Sequence, residues 1–242
     1  MLNEFSRTEL LLGEDAIKLL SQKRVIIFGV GGVGGYVAEA LARTGVGQID
    51  IVDNDKVALT NINRQIIALH STIGKYKVDV AKERMQDINP NLKVNTYKTF
   101  FTPQTQNDFD FTQYDYVVDA IDTVVGKLAL VEKSKSANVP IICSMGAGNK
   151  LDPTLFEVAD ISKTSVCPLA KVMRQELRKR KIKDVKVVYS KEIPAVPKEN
   201  EDVLVEKVSG KNRVPASIAF VPSVVGLIIA GEVVKDLVSI QE

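Results

Sequence analysis

Two kinds of segment alternate along this chain: short continuous apolar runs, and longer stretches with apolar residues at helical spacing. Residues 7–20 place Leu10, Leu11, Leu12, Ile17, Leu19 and Leu20 around Gly13, which predicts two short helical pieces. They feed into RVIIFG at 24–29, whose unbroken apolar run predicts a strand buried on both faces, as in a parallel sheet. VGGYVAEALART at 33–44 predicts a helix broken at Gly45, and QIDIVD a second strand ending at Asp53. A lysine-studded helix over 74–88, a strand in KVNTYKTF, a strand over 114–122, a helix to residue 137 and a strand in PIICSM follow. This alternation predicts an α/β fold with a Rossmann-like, doubly wound, mainly parallel sheet. After Gly148 the texture changes. A short apolar patch at 155–166, a basic helix over 168–183, a strand in VKVVYS, a long polar loop over 193–217 and a closing apolar helix at 218–234 predict a C-terminal α+β extension. We therefore divide the chain into a core at 1–150 and an extension at 151–242, continuous with each other.

Composition narrows the class. Apolar residues make up 45% of the 242 and charged residues 26%, a globular balance that excludes a disordered, collagen-like or disulfide-scaffold protein. The formal charge of +2, from 32 basic and 30 acidic residues, neither demands nor excludes a nucleic-acid partner. One histidine and two cysteines cannot supply a closed four-ligand Cys/His zinc site, so no zinc is expected. Cys143 and Cys167 look like thiols of a reducing compartment. MLNEFSRTE at the N-terminus carries charges where a signal peptide would need an apolar core, and a cytoplasmic location is expected. The 218–234 stretch is short for a bilayer span and contains Pro222 and Glu232, so no membrane span is expected.

The first strand runs directly into Gly29-Val30-Gly31-Gly32-Val33-Gly34-Gly35. A glycine-rich turn between strand and helix lets backbone N–H groups approach a phosphate, and the positive end of the helix dipole favours the anion. Asp53, nineteen residues after Gly34, ends the second strand, where an acidic group can bond a ribose hydroxyl. The usual inference from such a turn is a dinucleotide. Downstream residues favour ATP: Asp55, Asn61, Asn63, Arg64 and later Lys77 concentrate polar and cationic groups near the nucleotide, suited to a triphosphate that must lose pyrophosphate.

These segments carry a family resemblance. GVGGVGG at 29–35, IVDNDKV at 51–57, TNINRQ at 60–65, IGKYK at 73–77, INP at 88–90 and VVDAID at 117–122 are similar to the ubiquitin-activating-enzyme-like adenylating superfamily, which includes the enzymes that activate molybdopterin and thiamine sulfur-carrier proteins. GAGNKLDP at 146–153, DISKTSVCPLAKVMRQELRK at 160–179 and VVYSKE at 187–192 extend the resemblance to the tRNA threonylcarbamoyladenosine dehydratases, over nearly the whole chain. The resemblance implies an enzyme that uses ATP to adenylate and cyclise the threonylcarbamoyl group on adenosine 37 of tRNA. It places Gly29, Gly31, Gly32 and Gly34 in the nucleotide turn, Asp53 on the ribose and Asn61, Arg64 and Lys77 on the phosphates. Asp122 would hold Mg²⁺, a hard cation suited to carboxylate and phosphate oxygens. Arg7 corresponds to an arginine that reaches from one subunit of a homodimer into its neighbour's ATP site. Sulfur-transfer proteins are further conceivable partners.

Two departures separate this chain from carrier-activating relatives. It lacks both C-x-x-C pairs of their zinc site, and Cys167 lies beside Pro168 where the dehydratases carry an aspartate, so it reads as an incidental thiol. The basic stretch Lys171, Arg174, Arg178, Lys179, Arg180, Lys181, Lys183 and Lys186 suits tRNA phosphates, with Lys207, Lys211 and Arg213 extending it. One alternative is a sulfur-carrier-protein adenylyltransferase, whose ATP–pyrophosphate exchange would respond to a small protein ending in Gly-Gly. Another is a non-catalytic nucleotide- or RNA-binding module, which would tolerate loss of Asp122 or Arg64.

Overall fold

The protein is described from a computed structural model covering residues 2–198 and 215–239. Most of the expected 193–217 loop, with Lys207, Lys211 and Arg213, lies outside the described residues. The described chain forms α1 (Ser6–Leu12), α2 (Glu14–Leu20), β1 (Arg24–Phe28), α3 (Gly34–Thr44), β2 (Gln48–Val52), α4 (Lys77–Ile88) and β3 (Lys93–Tyr97). Then come β4 (Tyr116–Asp119), α5 (Val124–Ala137), β5 (Ile141–Ser144), β6 (Phe156–Asp160), α6 (Pro168–Lys179), β7 (Lys186–Ser190) and α7 (Phe220–Leu237). Seven strands make one sheet in the order β3-β2-β1-β4-β5-β7-β6. All neighbours pair in parallel except β6 with β7, so the sheet is mainly parallel with one antiparallel edge. That edge strand is what the apolar patch at 155–166 forms. Its half-exposed FEVAD segment lacks the continuous apolar run by which the inner strands announce themselves.

Successive strand residues face opposite layers, as the period of two requires. Val25, Ile27, Ile49, Ile51, Val118, Ile142 and Val188 pack under α3, α4 and α7. Ile26, Phe28, Val117, Ile141, Cys143 and Val187 pack under α5 and α6. Phe101, Phe109 and Phe111 gather round Phe28, with ring centroids 4.7, 5.3 and 5.7 Å away. Helix α6 stops at Lys179 rather than continuing to 183. Lys181 and Asp184 have positive φ (58° and 56°), and the turn they make returns Val185 to the core. Among the described residues no helix is long and apolar enough to cross a membrane.

The two ends of the sheet differ in finish. At the amino end, buried Asp50 of β2 accepts hydrogen bonds from Arg24 Nη2 (2.7 Å), Gln48 Nε2 (3.1 Å), Asn95 Nδ2 (3.1 Å) and the hydroxyls of Tyr97 and Tyr114 (3.2 Å each). With Arg24 Nε on Oδ1 as well (3.4 Å), six hydrogen bonds to one carboxylate leave nothing there for a ligand. The carboxyl ends of β1, β2 and β4, side by side in the sheet, open instead onto the glycine turn. In a doubly wound fold this is the crevice where ligands bind, because the strand order reverses there.

Candidate active site

Backbone geometry makes the turn after β1 possible only with glycine. Gly29 has φ +90°, and a Cβ on it would lie 2.7 Å from the Ala120 carbonyl oxygen; a Cβ on Gly34 would overlap the Gly29 carbonyl. The turn is therefore pressed against the segment after β4 and leads straight into α3. Gly31, Gly32 and Val33 donate no backbone hydrogen bond among the described residues, so their N–H groups are the orphan donors of a helix start. Such a cradle suits an anion.

Asp53 closes one side of it. Its Oδ2 accepts from Val30 N–H and its Oδ1 from Asp55 N–H, both at 2.8 Å, which ties the end of β2 to the turn while leaving lone pairs for further donors. Burial pushes the Asp53 carboxyl above the usual carboxylate range, against the opposing charge of Lys77 and the two backbone N–H groups. The folded state thus binds this proton more tightly than the unfolded chain. Asp53 contributes stability that is lost as pH rises from the unfolded carboxylate value, about 3.9, through the higher folded value. Asp53→Asn does not titrate, so the wild-type urea midpoint should fall relative to the variant's as pH rises through that window; parallel curves would contradict it.

The polar segment between β2 and α4 supplies the other side. Asn61 Oδ1 accepts from Ala58 N–H (3.0 Å) and so shapes the local turn. Arg64 Nη1 donates to Thr60 O (2.9 Å) and Asn63 Oδ1 (2.8 Å), and its Cγ lies 3.5 Å from where a Gly32 Cβ would be. Asn63 Nδ2 donates in turn to Ser217 O (3.0 Å). Lys77, the first residue of α4, is buried; its Nζ bonds Asp55 Oδ2 at 2.7 Å. Asp55 is exposed, so this is a cation held in place by a carboxylate that water can also serve.

Asp122 stands exposed in the turn after β4, beyond the strand's end at Asp119. Behind it is a pair that belongs to none of the sequence motifs. Lys127 of α5 and Asp119 are both fully buried, and Lys127 Nζ donates to Asp119 Oδ2 (3.0 Å) and to the Ser144 carbonyl (2.6 Å). Asp119 Oδ1 accepts from Ile121 N–H at 3.3 Å, and burial raises its carboxyl above the usual range, with Lys127 opposing. The pair thus staples the Asp122 turn to α5 and β5. Its signal was in the sequence: Lys127 shares a helical face with Leu130, Val131 and Ser134, all buried.

A strap from the end of the chain crosses the site. Asn149 N–H donates to Ala216 O (2.8 Å) and Ala216 N–H donates to Asn149 Oδ1 (2.7 Å), Ser217 O accepts from Asn63, and Pro222 lies 3.2 Å from a hypothetical Gly32 Cβ. The GAGNKLDP loop under it is fixed by Lys150 Nζ on Glu192 O (2.8 Å), with the Glu192 carboxylate accepting from Leu151 and Asp152 N–H. Cys167, the residue before α6, and Cys143 are both buried free thiols.

The remaining expected site residues lie elsewhere. Arg7 is exposed on α1, beside Leu10 and Leu11, which are 89% and 83% exposed. The basic stretch divides in two. Arg174 is fastened to Thr164, Lys179 to Glu176, Arg180 to Glu176 and Glu132, and Lys186 to Glu232 and Asp236. Lys171, Arg178, Lys181 and Lys183 are exposed and make no ion pair with a described residue. Among the described residues no group of three His, Cys, Asp or Glu side chains could hold a metal unaided. Asp122 fits a cation that arrives on a nucleotide's phosphates, since Mg²⁺ is commonly held by one or two carboxylates and substrate oxygens.

The ThiF family model matches residues 5–242. The tRNA threonylcarbamoyladenosine dehydratase of Bacillus subtilis (strain 168) is 49% identical over 244 residues, covering 98% of this chain and 95% of that protein. The crystal structure of Escherichia coli tRNA N6-threonylcarbamoyladenosine dehydratase in complex with ATP matches with a TM-score of 0.87 at 34% identity, covering 98% of this chain and 94% of that one. Its complex with AMP matches equally, with the same TM-score, identity and coverage.

Proposed function

Because the chain belongs to the ThiF family, we propose that it is an ATP-dependent tRNA threonylcarbamoyladenosine dehydratase, adenylating the threonine carboxylate of the modified adenosine at position 37 and cyclising it. The observation that carries this reading is a glycine turn backed by Arg64 and tied through Asp53 and Asp55 to Lys77, in a chain 49% identical to a dehydratase over almost its full length. The carboxylate attacks the α-phosphate, pyrophosphate leaves, and an acyl-adenylate forms. The carbamoyl group on the same base then attacks the acyl carbon, where effective molarity is high, and AMP departs with the oxygen that accounts for the lost water. Gly31, Gly32 and Val33 N–H groups cradle phosphate, Asp53 holds the ribose, and Arg64 and Lys77 offset the charge that develops on the leaving pyrophosphate. Asp122 would hold a Mg²⁺ brought by the nucleotide, which when bound would supply further charge neutralisation. Residues 1–150 carry the adenylation and residues 151–242 the RNA side.

Nucleoside mass spectrometry of threonylcarbamoylated tRNA treated with enzyme and ATP tests this. A nucleoside lighter by one water is expected; its absence, with adenylation of a Gly-Gly-ending carrier protein instead, would favour the carrier-activating alternative. On the RNA side, Lys171, Arg178 and Lys181 meet the phosphates, while Arg174, Lys179 and Arg180 serve the fold. Lys171→Ala/Arg178→Ala should therefore weaken tRNA binding and flatten its salt dependence by about two counterions, and Lys179→Ala should do so far less. Filter binding across a salt series reads the difference. The exposed apolar residues of α1 beside Arg7 support a homodimer in which Arg7 serves the neighbouring ATP site.

A further inference from the structure

Asn149, in the loop after β5, has a φ of +60°, in the left-handed region that asparagine tolerates better than most residues with a Cβ. In that conformation it bonds two segments at once. Its carbonyl accepts from Ala195 N–H (2.8 Å) on the segment that leaves β7, and its N–H donates to Ala216 O (2.8 Å) on the strap that enters α7. Its Oδ1 also accepts from Ala216 N–H at 2.7 Å. Gly148 beside it leaves no room for a side chain, since a Cβ there would lie 2.8 Å from Pro215 Cβ. The β5 loop and the strap are thus pressed together and tied twice through one residue.

From Ala216 the connection runs on towards the glycine turn. The next residue, Ser217, offers its carbonyl to Asn63 Nδ2 at 3.0 Å, and the Oδ1 of the same amide accepts from Arg64 Nη1 at 2.8 Å. With a donor at one end and an acceptor at the other, this carboxamide has one orientation only, because a flip would set donor against donor and acceptor against acceptor. Thr60 O holds Arg64 from within its own turn, whereas Asn63 ties it to the strap. Arg64 Cγ and Pro222 Cβ then flank Gly32, 3.5 and 3.2 Å from where its Cβ would be. Asn149, Ala216, Ser217 and Asn63 form a relay from the β5 loop to Arg64.

We propose that Asn149 is a positioning residue for adenylation, which sets Arg64 through the strap without touching the nucleotide. A guanidinium stabilises charge developing on pyrophosphate only when it is held in place beforehand. Asn149 fixes the backbone at Ala216, and so puts Ser217 O where Asn63 needs it. Ala216 is exposed, so water can satisfy its N–H when Oδ1 is removed, but water does not hold the strap in one place. The loss therefore falls on rate rather than on stability. The inference rests on the dehydratase reading of this site.

Single-turnover pyrophosphate release from ATP with threonylcarbamoylated tRNA, beside melting curves, tests this on the full-length chain carrying Asn149→Gly, Asn149→Asp, Asn63→Ala or Asn149→Gly with Asn63→Ala. Asn149→Gly keeps the left-handed backbone and removes Oδ1. It is expected to slow release about 10-fold while moving the Tm by no more than about 3 °C. Asn149→Asp, with an acceptor oxygen in the same place, should run near the wild-type rate. Asn63→Ala cuts the same relay closer to Arg64, so adding Asn149→Gly to it should slow the reaction no further. The proposal is overturned by an Asn149→Gly rate equal to wild type, by one whose loss comes with a collapsed Tm, by an Asn149→Asp as slow as Asn149→Gly, or by a double variant in which the two losses multiply. If wild type itself releases no pyrophosphate with this tRNA, the dehydratase reading fails instead.

Discussion

Lys77→Met is expected to slow adenylation about 10²- to 10³-fold while leaving the fold almost as stable as before. The kinetic half follows from what the reaction demands. Attack on the α-phosphate pushes negative charge onto a departing pyrophosphate, and a cation held in a site screened from water stabilises that charge far more than one in solvent. Lys77 is such a cation, with its side chain 7% exposed and its backbone N–H fixed to Asp55 O at 3.0 Å at the start of α4. The stability half follows from its partner. The Asp55 side chain is 60% exposed, so when the ammonium is removed water takes its place around the carboxylate. Methionine fills the volume of the lysine stem. Single-turnover release of pyrophosphate from ATP with substrate tRNA, beside a urea titration, measures both halves. A near-normal rate, or a collapse in the urea midpoint, contradicts the assignment.

The reverse balance holds one helix further along. Lys127→Met is expected to destabilise the protein by about 3–5 kcal/mol, because Asp119 would remain buried without its partner. Both side chains are fully inaccessible, so no water can replace the ammonium. Much of that loss should return in Asp119→Asn/Lys127→Met, since removing both charges of a buried pair is often neutral. Stability is not the whole of it. An asparagine Oδ1 can still accept from Ile121 N–H, but the Lys127 bonds to residue 119 and to the Ser144 carbonyl are both lost, so the double variant loosens the turn that carries Asp122. We expect the double variant to melt near wild type yet bind ATP–Mg²⁺ more weakly. Restored stability with unchanged nucleotide affinity would reduce the pair to a structural role.

Much of this site was legible in the chain because its signals are local. A continuous apolar strand, a glycine cluster and a helix that follows at once describe β1, the turn and α3 from residues 24–44 alone. Arg64 and Lys77 lie near their motif neighbours in sequence and in space. What escaped depends on partners far along the chain. Strand β6 is defined by antiparallel pairing with β7, from Phe156 opposite Ser190 to Asp160 opposite Lys186, which no periodicity in FEVAD reveals. Lys127 carries a face signal, shared with buried Leu130, Val131 and Ser134, but its partners Asp119 and Ser144 emerge only in the fold. The basic run looked uniform, but Glu132, Glu232 and Asp236, from elements distant in sequence, take up Arg180 and Lys186. Counting charges cannot separate a cation fastened to the fold from one left exposed.

The strap at 215–222 makes the finish of the nucleotide turn a long-range matter. Pro222 backs Gly32, Ser217 holds Asn63, and α7 lies so close over α3 that a Cβ on Gly226 would sit 2.7 Å from Tyr36 Cβ. The glycine turn is local in sequence, but the residues that back it come from far along the chain, so the turn takes its final packing only when that distant segment docks.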